Sequence, residues 1–285
     1  CRSLAVGLHQ SGLYVGIVLG GAWGGWMGDH YGWRPVFTIL GLAGILYLVP
    51  LWLGMRGLTG SGSQPDRTGF KASLRELLKL PGFTILTLVF SASALQNWIV
   101  YTWLPVYLYE RFGMSLANAG FSATFYIQVA GFAGILFGGW LADRWSRTSP
   151  RGRLLTQVAG LAAGAPFLFL IGFTTSFPLL VLALITYGLG RGFYDANTMP
   201  VLSQIAAPRL RGTGYGIFNL AGCITGGVAA AGAGWLKEIV GLSAAFQISA
   251  VILLAGATLL LFAPVGRHRE SAAKIDQSTR TLMTG

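Results

Sequence analysis

Charge is what this sequence has least of. Only 10% of its 285 residues are Asp, Glu, Lys or Arg, while 53% are hydrophobic; soluble domains carry about 25% charged residues. Water is therefore the wrong solvent for most of its surface, which excludes an ordinary soluble enzyme or binding domain. Cysteine and histidine are also scarce. Cys1 and Cys223 lie in unlike surroundings and supply no disulfide or metal framework. The three histidines are scattered, and no Walker lysine motif, HExxH or GxSxG string is present. Neither a catalytic constellation nor a cofactor is expected.

The excess is apolar, and it comes in lengths set by a bilayer. A helix needs roughly 20 apolar residues to cross the hydrocarbon core. Eight such runs are present, at 8–26, 35–53, 83–109, 119–141, 154–173, 178–205, 215–236 and 242–264. An even number returns the chain to its starting side. Of the 20 Lys and Arg residues, sixteen fall on that side, including Arg2 at one end and Arg267, Arg269, Lys274 and Arg280 at the other. Three (Arg34, Arg111, Lys237) fall opposite, and Arg191 lies within a run. This is the positive-inside pattern, so both ends are expected in the cytoplasm. The net charge of +11 then marks a lipid bilayer as the partner, and no nucleic acid.

Glycine is abundant, with 42 residues, which suits helices packed closely in lipid. Gly12, Gly16, Gly20 and Gly24 form one row along the first run, and Gly21, Gly25 and Gly28 a second beside it. Gly131, Gly134 and Gly138 form another in the fourth run. Each is expected to be a packing seam. The fifth run is almost purely apolar and is expected to be a peripheral, lipid-facing helix. Trp103, Tyr107 and Tyr109 are expected to form an aromatic belt at the outer interface.

Residues 56–82 break the membrane pattern. Gly60 to Asp66 is a flexible polar linker by composition. Phe70, Leu74, Leu77 and Leu78 then recur at helical spacing, opposite Lys71, Arg75 and Lys79. That is the pattern of an amphipathic helix lying on an anionic leaflet, stopped by Pro81-Gly82.

The sixth run carries the chemistry. Counted from Pro178, Arg191 lies ~20 Å into the bilayer and Asp195 ~26 Å in. A charge at that depth costs about 2.5–3.5 kcal/mol on the insertion scale. Tyr187, Arg191, Tyr194, Asp195 and Thr198 share an arc of about 100° on a helical wheel, so this arc must face a wet cavity or a polar interior. Asn97 and Tyr101 in the third run reach similar depth, as do Tyr126 and Gln128 in the fourth. Two readings stay open. Arg191 and Asp195 neutralise each other and brace the bundle, or Arg191 anchors an anionic substrate with Asp195 as its counter-charge. The candidate substrate-binding residues are Arg191, Asp195, Tyr187, Tyr194, Asn97, Tyr101 and Gln128.

The stretch 138–153 holds Gly139, Asp143, Arg144 and Arg147 in an order that resembles the cytoplasmic loop signature of the major facilitator superfamily. Ser146 stands in place of a second glycine there, and Thr148 and Ser149 in place of further basic residues. Gly16 to Gly21 is similar to the fifth-helix glycine signature of that superfamily's proton-driven exporters, with Ile17 where those have proline. Gly32-Trp33-Arg34 resembles the link between its fifth and sixth helices. The chain up to the tail therefore resembles helices five to twelve of a twelve-helix transporter, truncated at its amino end. Tyr101-Thr102-Trp103-Leu104-Pro105-Val106-Tyr107-Leu108 is similar to the anion:cation symporter branch.

The resemblance implies an all-α membrane protein, a polytopic bundle of eight transmembrane helices with a partial major-facilitator fold. Residues 1–55 would be the last two helices of an N-terminal bundle and 56–82 a cytoplasmic linker. Residues 83–265 would be a six-helix C-terminal bundle and 266–285 a disordered tail. It implies secondary active transport of a small organic anion, such as a sugar acid or sugar phosphate, by alternating access. Gly139, Asp143, Arg144 and Arg147 would form a gating loop in an inner (plasma) membrane protein. The implied partners are the substrate, a coupled proton or sodium ion, and missing N-terminal helices of the same chain. Without those helices the chain alone should not transport. The rival readings are a membrane-embedded lipid-modifying enzyme, which needs paired carboxylates or a histidine site at an interface, and a non-transporting sensor on the same fold.

Overall fold

Inside a bilayer every backbone polar group must be paired within the chain, so apolar runs of this length become helices. The computed structural model describes residues 2–56 and 69–264. The polar linker at 60–66 and the tail at 266–285 lie outside the described residues. Among those described, the order is α1 (Arg2–Tyr31), α2 (Trp33–Met55), α3 (Phe70–Leu78), α4 (Phe83–Phe112), α5 (Leu116–Trp145), α6 (Gly152–Phe173), α7 (Phe177–Ile205), α8 (Arg211–Val240) and α9 (Leu242–Leu261). A short 3₁₀ turn, Pro208–Leu210, precedes α8. α2 and α4 to α9, seven helices in all, are long and apolar enough to cross a membrane. α1 has the length, at 30 residues, but is not among those seven.

Two connections are single residues. Gly32 between α1 and α2 has φ 78°, and Gly241 between α8 and α9 has φ 85°. Only glycine adopts this backbone without cost, so these hairpins turn with no loop to spare.

The core lies between α4 and α9. α7 is sandwiched between α5 and α6; α9 packs on α6 and α4, and α4 on α8. Glycines set the closest of these contacts. A Cβ at Gly134 of α5 would meet the Leu189 carbonyl and lie 3.1 Å from Gly192 Cα; at Gly138 it would lie 2.7 Å from Phe193 Cα. On α7, Gly188 and Gly192 face α5, while Gly190 faces Gly160 and Gly164 of α6. Alternate glycines thus let two helices approach α7 from two sides. On α8 the glycines accept aromatic rings: Gly222 lies against Phe90, Gly226 against Trp98 and Gly234 against Trp103.

Several sequence expectations change here. On α1, Gly12, Gly16 and Gly20 of the first row meet nothing within 4 Å and Gly24 meets only Val36 of α2, whereas in the second row Gly21 contacts Thr124 and Gly25 contacts Ala117 of α5, and Gly28 meets nothing. Spacing alone does not say which of two neighbouring rows finds a partner. α6 is not an outlying lipid-facing helix. It is wedged against α7 and α9, and Leu154, Thr156, Gln157, Gly160 and Leu161 are among its buried residues. Of the three aromatics expected in an outer belt, Trp103 and Tyr107 are engaged within the bundle. Tyr107 is buried, and Trp103 Nε1 donates to the Ala230 carbonyl at 2.8 Å. Only Tyr109 is exposed. α3 is docked on the bundle through Leu77 and Ser73, with Phe70 and Leu78 left exposed.

Contacts between distant loops fix which helix ends share a side. Arg209 meets Glu76 at 2.5 Å, the Arg151 guanidinium caps the Leu261 carbonyl, and Gly82 lies against Pro264. At the other end Lys237 pairs with Glu110 at 2.5 Å. The alternation drawn from the runs agrees with this arrangement.

Candidate functional site

Arg191 and Asp195 sit one turn apart on α7, with Arg191 Nε 3.3 Å from Asp195 Oδ2. Their side chains keep only 9% and 23% of their exposure. Three other helices reach this pair. From α5, Gln128 Oε1 accepts from Arg191 Nη1 at 3.4 Å, and Gln128 Nε2 donates to the Tyr101 hydroxyl of α4 at 3.3 Å. From α1, the Tyr14 hydroxyl donates to Asp195 Oδ2 at 3.1 Å. The guanidinium also lies over two rings, 5.1 Å from the Tyr101 centroid and 5.6 Å from that of Tyr14. Such cation–π contacts hold a cation where water is excluded.

One turn away, the Tyr187 hydroxyl lies between two α4 acceptors, Gln96 Oε1 and Asn97 Oδ1, the latter at 3.2 Å. Five of the expected residues (Arg191, Asp195, Gln128, Tyr101 and, through Tyr187, Asn97) thus join in one patch with Tyr187 itself. Tyr194 is placed differently. It is buried, and its carbonyl accepts from Gln157 of α6 at 3.2 Å and from Thr198 at 3.1 Å. Tyr126 stacks edge-on to Phe125.

Sequence reasoning passed over Tyr14, Gln96 and Gln157. Tyr14 stands in a glycine-rich run whose spacing reads as a packing seam. Gln96 adjoins Asn97, so a helical wheel drawn for one face discards it. Gln157 is the single strongly polar residue of the fifth run, and that was the available signal.

A guanidinium has five N–H donors in a fixed fork. Here one of them makes a long hydrogen bond to Gln128, and Nε, although paired with Asp195 by charge, has no hydrogen-bond partner. Arg191 therefore retains the capacity to bind a carboxylate or phosphate in paired fashion. Asp195 offers acceptor oxygens beside it, and Gln128, Tyr101 and Asn97 offer neutral donors and acceptors of the kind hydroxyl-rich solutes use. Among the described residues no group of three or more His, Cys, Asp or Glu could hold a metal.

The loop signature is part helix. Gly139, Asp143 and Arg144 lie on the last turns of α5, and Arg147 lies in the turn that follows. Asp143 Oδ1 accepts from Arg153 Nη2 at 3.0 Å, bracing that turn.

The model of the Major Facilitator Superfamily matches residues 2–230. The chain belongs to that superfamily. It is 27% identical over 253 residues to the probable galactarate/D-glucarate transporter GudP of Bacillus subtilis, covering 78% of this chain and 54% of that protein. It is 26% identical over 296 residues to the D-galactonate transporter of Escherichia coli, covering 91% and 66%. The chain thus spans between half and two thirds of the length of these relatives. A bacterial homologue of the human lysosomal transporter Spinster, in an inward-facing and occupied conformation, shares the fold with a TM-score of 0.64 at 21% identity, covering 91% of this chain and 69% of that one. This is an all-α integral membrane protein of major-facilitator fold.

Proposed function

We propose that the chain forms part of a secondary active transporter that moves a small organic anion, of the sugar-acid or sugar-phosphate class, by alternating access. Residues 1–55 belong to one bundle and 83–265 to the other, joined by 56–82. Helices of the same polypeptide complete the first bundle. The observation that carries this reading is Arg191: a guanidinium at membrane depth, balanced by one carboxylate and two aromatic rings, with a single long side-chain hydrogen bond to Gln128. Intramembrane charge is expensive and marks a functional site by default. The relatives' names, which specify galactarate, D-glucarate and D-galactonate, support the choice of an anion.

Arg191 and Asp195 are neutral as a pair. An anion that takes Arg191 leaves the carboxylate's charge to be balanced, which is the role of a coupled proton or sodium ion. Gly139, Asp143, Arg144 and Arg147 act as the gating loop. The protein lies in the plasma membrane with both ends in the cytoplasm, in keeping with the Arg-rich turn 144–153.

The test is uptake into membrane vesicles by the full encoded polypeptide. Radiolabelled D-galactonate, galactarate, D-glucarate and glucose 6-phosphate are each supplied with and without proton and sodium gradients. Saturable uptake of at least one, competed by the other acids and not by galactose, is expected. Equal competition by the neutral sugar counts against an anion site, and absence of uptake of all four counts against the class.

A further inference from the structure

Four arginines lie between the last turn of α5 and the first turn of α6, and the structure divides them into two pairs. Arg153 is engaged with Asp143 at 3.0 Å, and Arg151 caps the Leu261 carbonyl at the end of α9. These two work within the protein. Arg144 and Arg147 are exposed, and among the described residues neither side chain makes a hydrogen bond or ion pair. Together with Trp140 and Asp143 they line a surface cavity of about 230 Å³.

What lies beside this cavity is apolar. Val129, Phe132, Leu136, Phe137 and Trp140 of α5 are all exposed. At 100° per residue they fall, with Arg144, within one arc of about 140°. This arc lies opposite Gly134 and Gly138, which pack on α7. Among the described residues an exposed apolar stripe, an exposed tryptophan and Arg144 therefore follow one another along one face of α5, with Arg147 in the turn just beyond it. The order matches that of a phospholipid: acyl chain, glycerol and phosphate.

We propose that this face binds an anionic phospholipid, its phosphate held by Arg144 and Arg147 and its acyl chain laid along α5 over Leu136 and Phe132. Charge complementarity selects an anionic headgroup. Asp143 does not offset it, because its carboxylate is paired with Arg153. Arginine suits phosphate through its planar fork of donors, and each cation near an anionic leaflet contributes about 1 kcal/mol. The lipid so held would sit against the gating loop, on the side of α5 remote from Arg191. The inference does not depend on what the protein transports.

The experiment uses the purified protein in detergent with brominated lipids, which quench nearby tryptophans. The Trp140 contribution is taken as the difference between wild type and Trp140→Phe. Brominated phosphatidylglycerol is expected to quench it at much lower mole fraction than brominated phosphatidylcholine. In Arg144→Gln/Arg147→Gln that preference should fall by about thirtyfold, the equivalent of two charges at about 1 kcal/mol each. Arg75→Gln/Lys79→Gln removes the same charge from α3 and should leave it intact. Millimolar inorganic phosphate or glycerol phosphate should not compete, since neither carries a chain. Equal quenching by both lipids, or equal loss in the α3 variant, overturns the site in favour of bulk attraction. Competition by free phosphate overturns the lipid in favour of a soluble anion.

Discussion

The Tyr14 hydroxyl donates to Asp195 Oδ2 at 3.1 Å, joining α1 to α7 across 181 positions of sequence. The same carboxylate oxygen is the one that faces Arg191. Asp195 therefore answers to two helices at once, and any group that draws off the guanidinium changes how tightly α1 is held.

Loss of the Tyr14 hydroxyl should loosen that tie without emptying the site. Tyr14→Phe keeps the ring beneath the guanidinium and removes a hydrogen bond to a charged acceptor, worth about 1.5–3 kcal/mol. Thermal unfolding in detergent is expected at lower temperature than wild type. An unchanged midpoint would mean that the contact contributes nothing to holding α1.

The roles of Arg191 and Asp195 separate in a double-mutant cycle. Arg191→Leu or Asp195→Leu alone strands a buried charge, at a cost of about 3–5 kcal/mol, so both single variants should accumulate poorly in membranes. The double leucine variant should recover accumulation but not D-galactonate binding. Arg191→Lys should bind weakly, because a point charge lacks the paired donors of the fork. Full affinity in the double variant would reduce the pair to a structural brace.

Close approach of α5 to α7 gives a sharper packing test. Gly134→Ala puts a methyl against the Leu189 carbonyl and Gly192 Cα, an overpacking that costs about 1–3 kcal/mol. Gly227→Ala, on α8, meets nothing within 4 Å and should be neutral or slightly stabilising, since alanine favours helix. Comparable melting of the two variants would contradict this seam.

Asp143→Asn removes the bridge to Arg153, which is half exposed and worth about 0.2–1 kcal/mol at most. Stability should barely change. Flux through the full polypeptide should fall while substrate affinity holds, as the gating role proposed for the loop requires. Unaltered flux would leave Asp143 as part of an ordinary basic turn.

Orientation is open to a labelling experiment in intact cells. After Cys223→Ser, a cysteine at Ser149 should be shielded from an impermeant thiol reagent, and one at Ser243 should react. Labelling at 149 from outside would invert the assignment.

The sequence by itself determined the solvent, the helices and the costly residue. Apolar runs of bilayer length leave the backbone no option but helix, and Arg191 is conspicuous because a charge has no inexpensive place within such a run. Its partners on the same helix, Asp195 and Tyr187, follow from the 3.6-residue period alone. Gln128 and Tyr101 were legible because they are polar at matching depth.

The tertiary structure decided which surfaces meet. Two glycine rows on α1 both have helical spacing, yet only Gly21 and Gly25 touch α5. Periodicity records a face and carries no information about what covers it. Gln157 stands alone in an apolar run, and its burial follows from the docking of α6 against α7 and α9. Tyr14 reaches Asp195 only because α1 lies along α5 with Tyr14 Cε1 close to Gly131. Such contacts between helices far apart in the chain depend on relative position and rotation, which local composition does not encode.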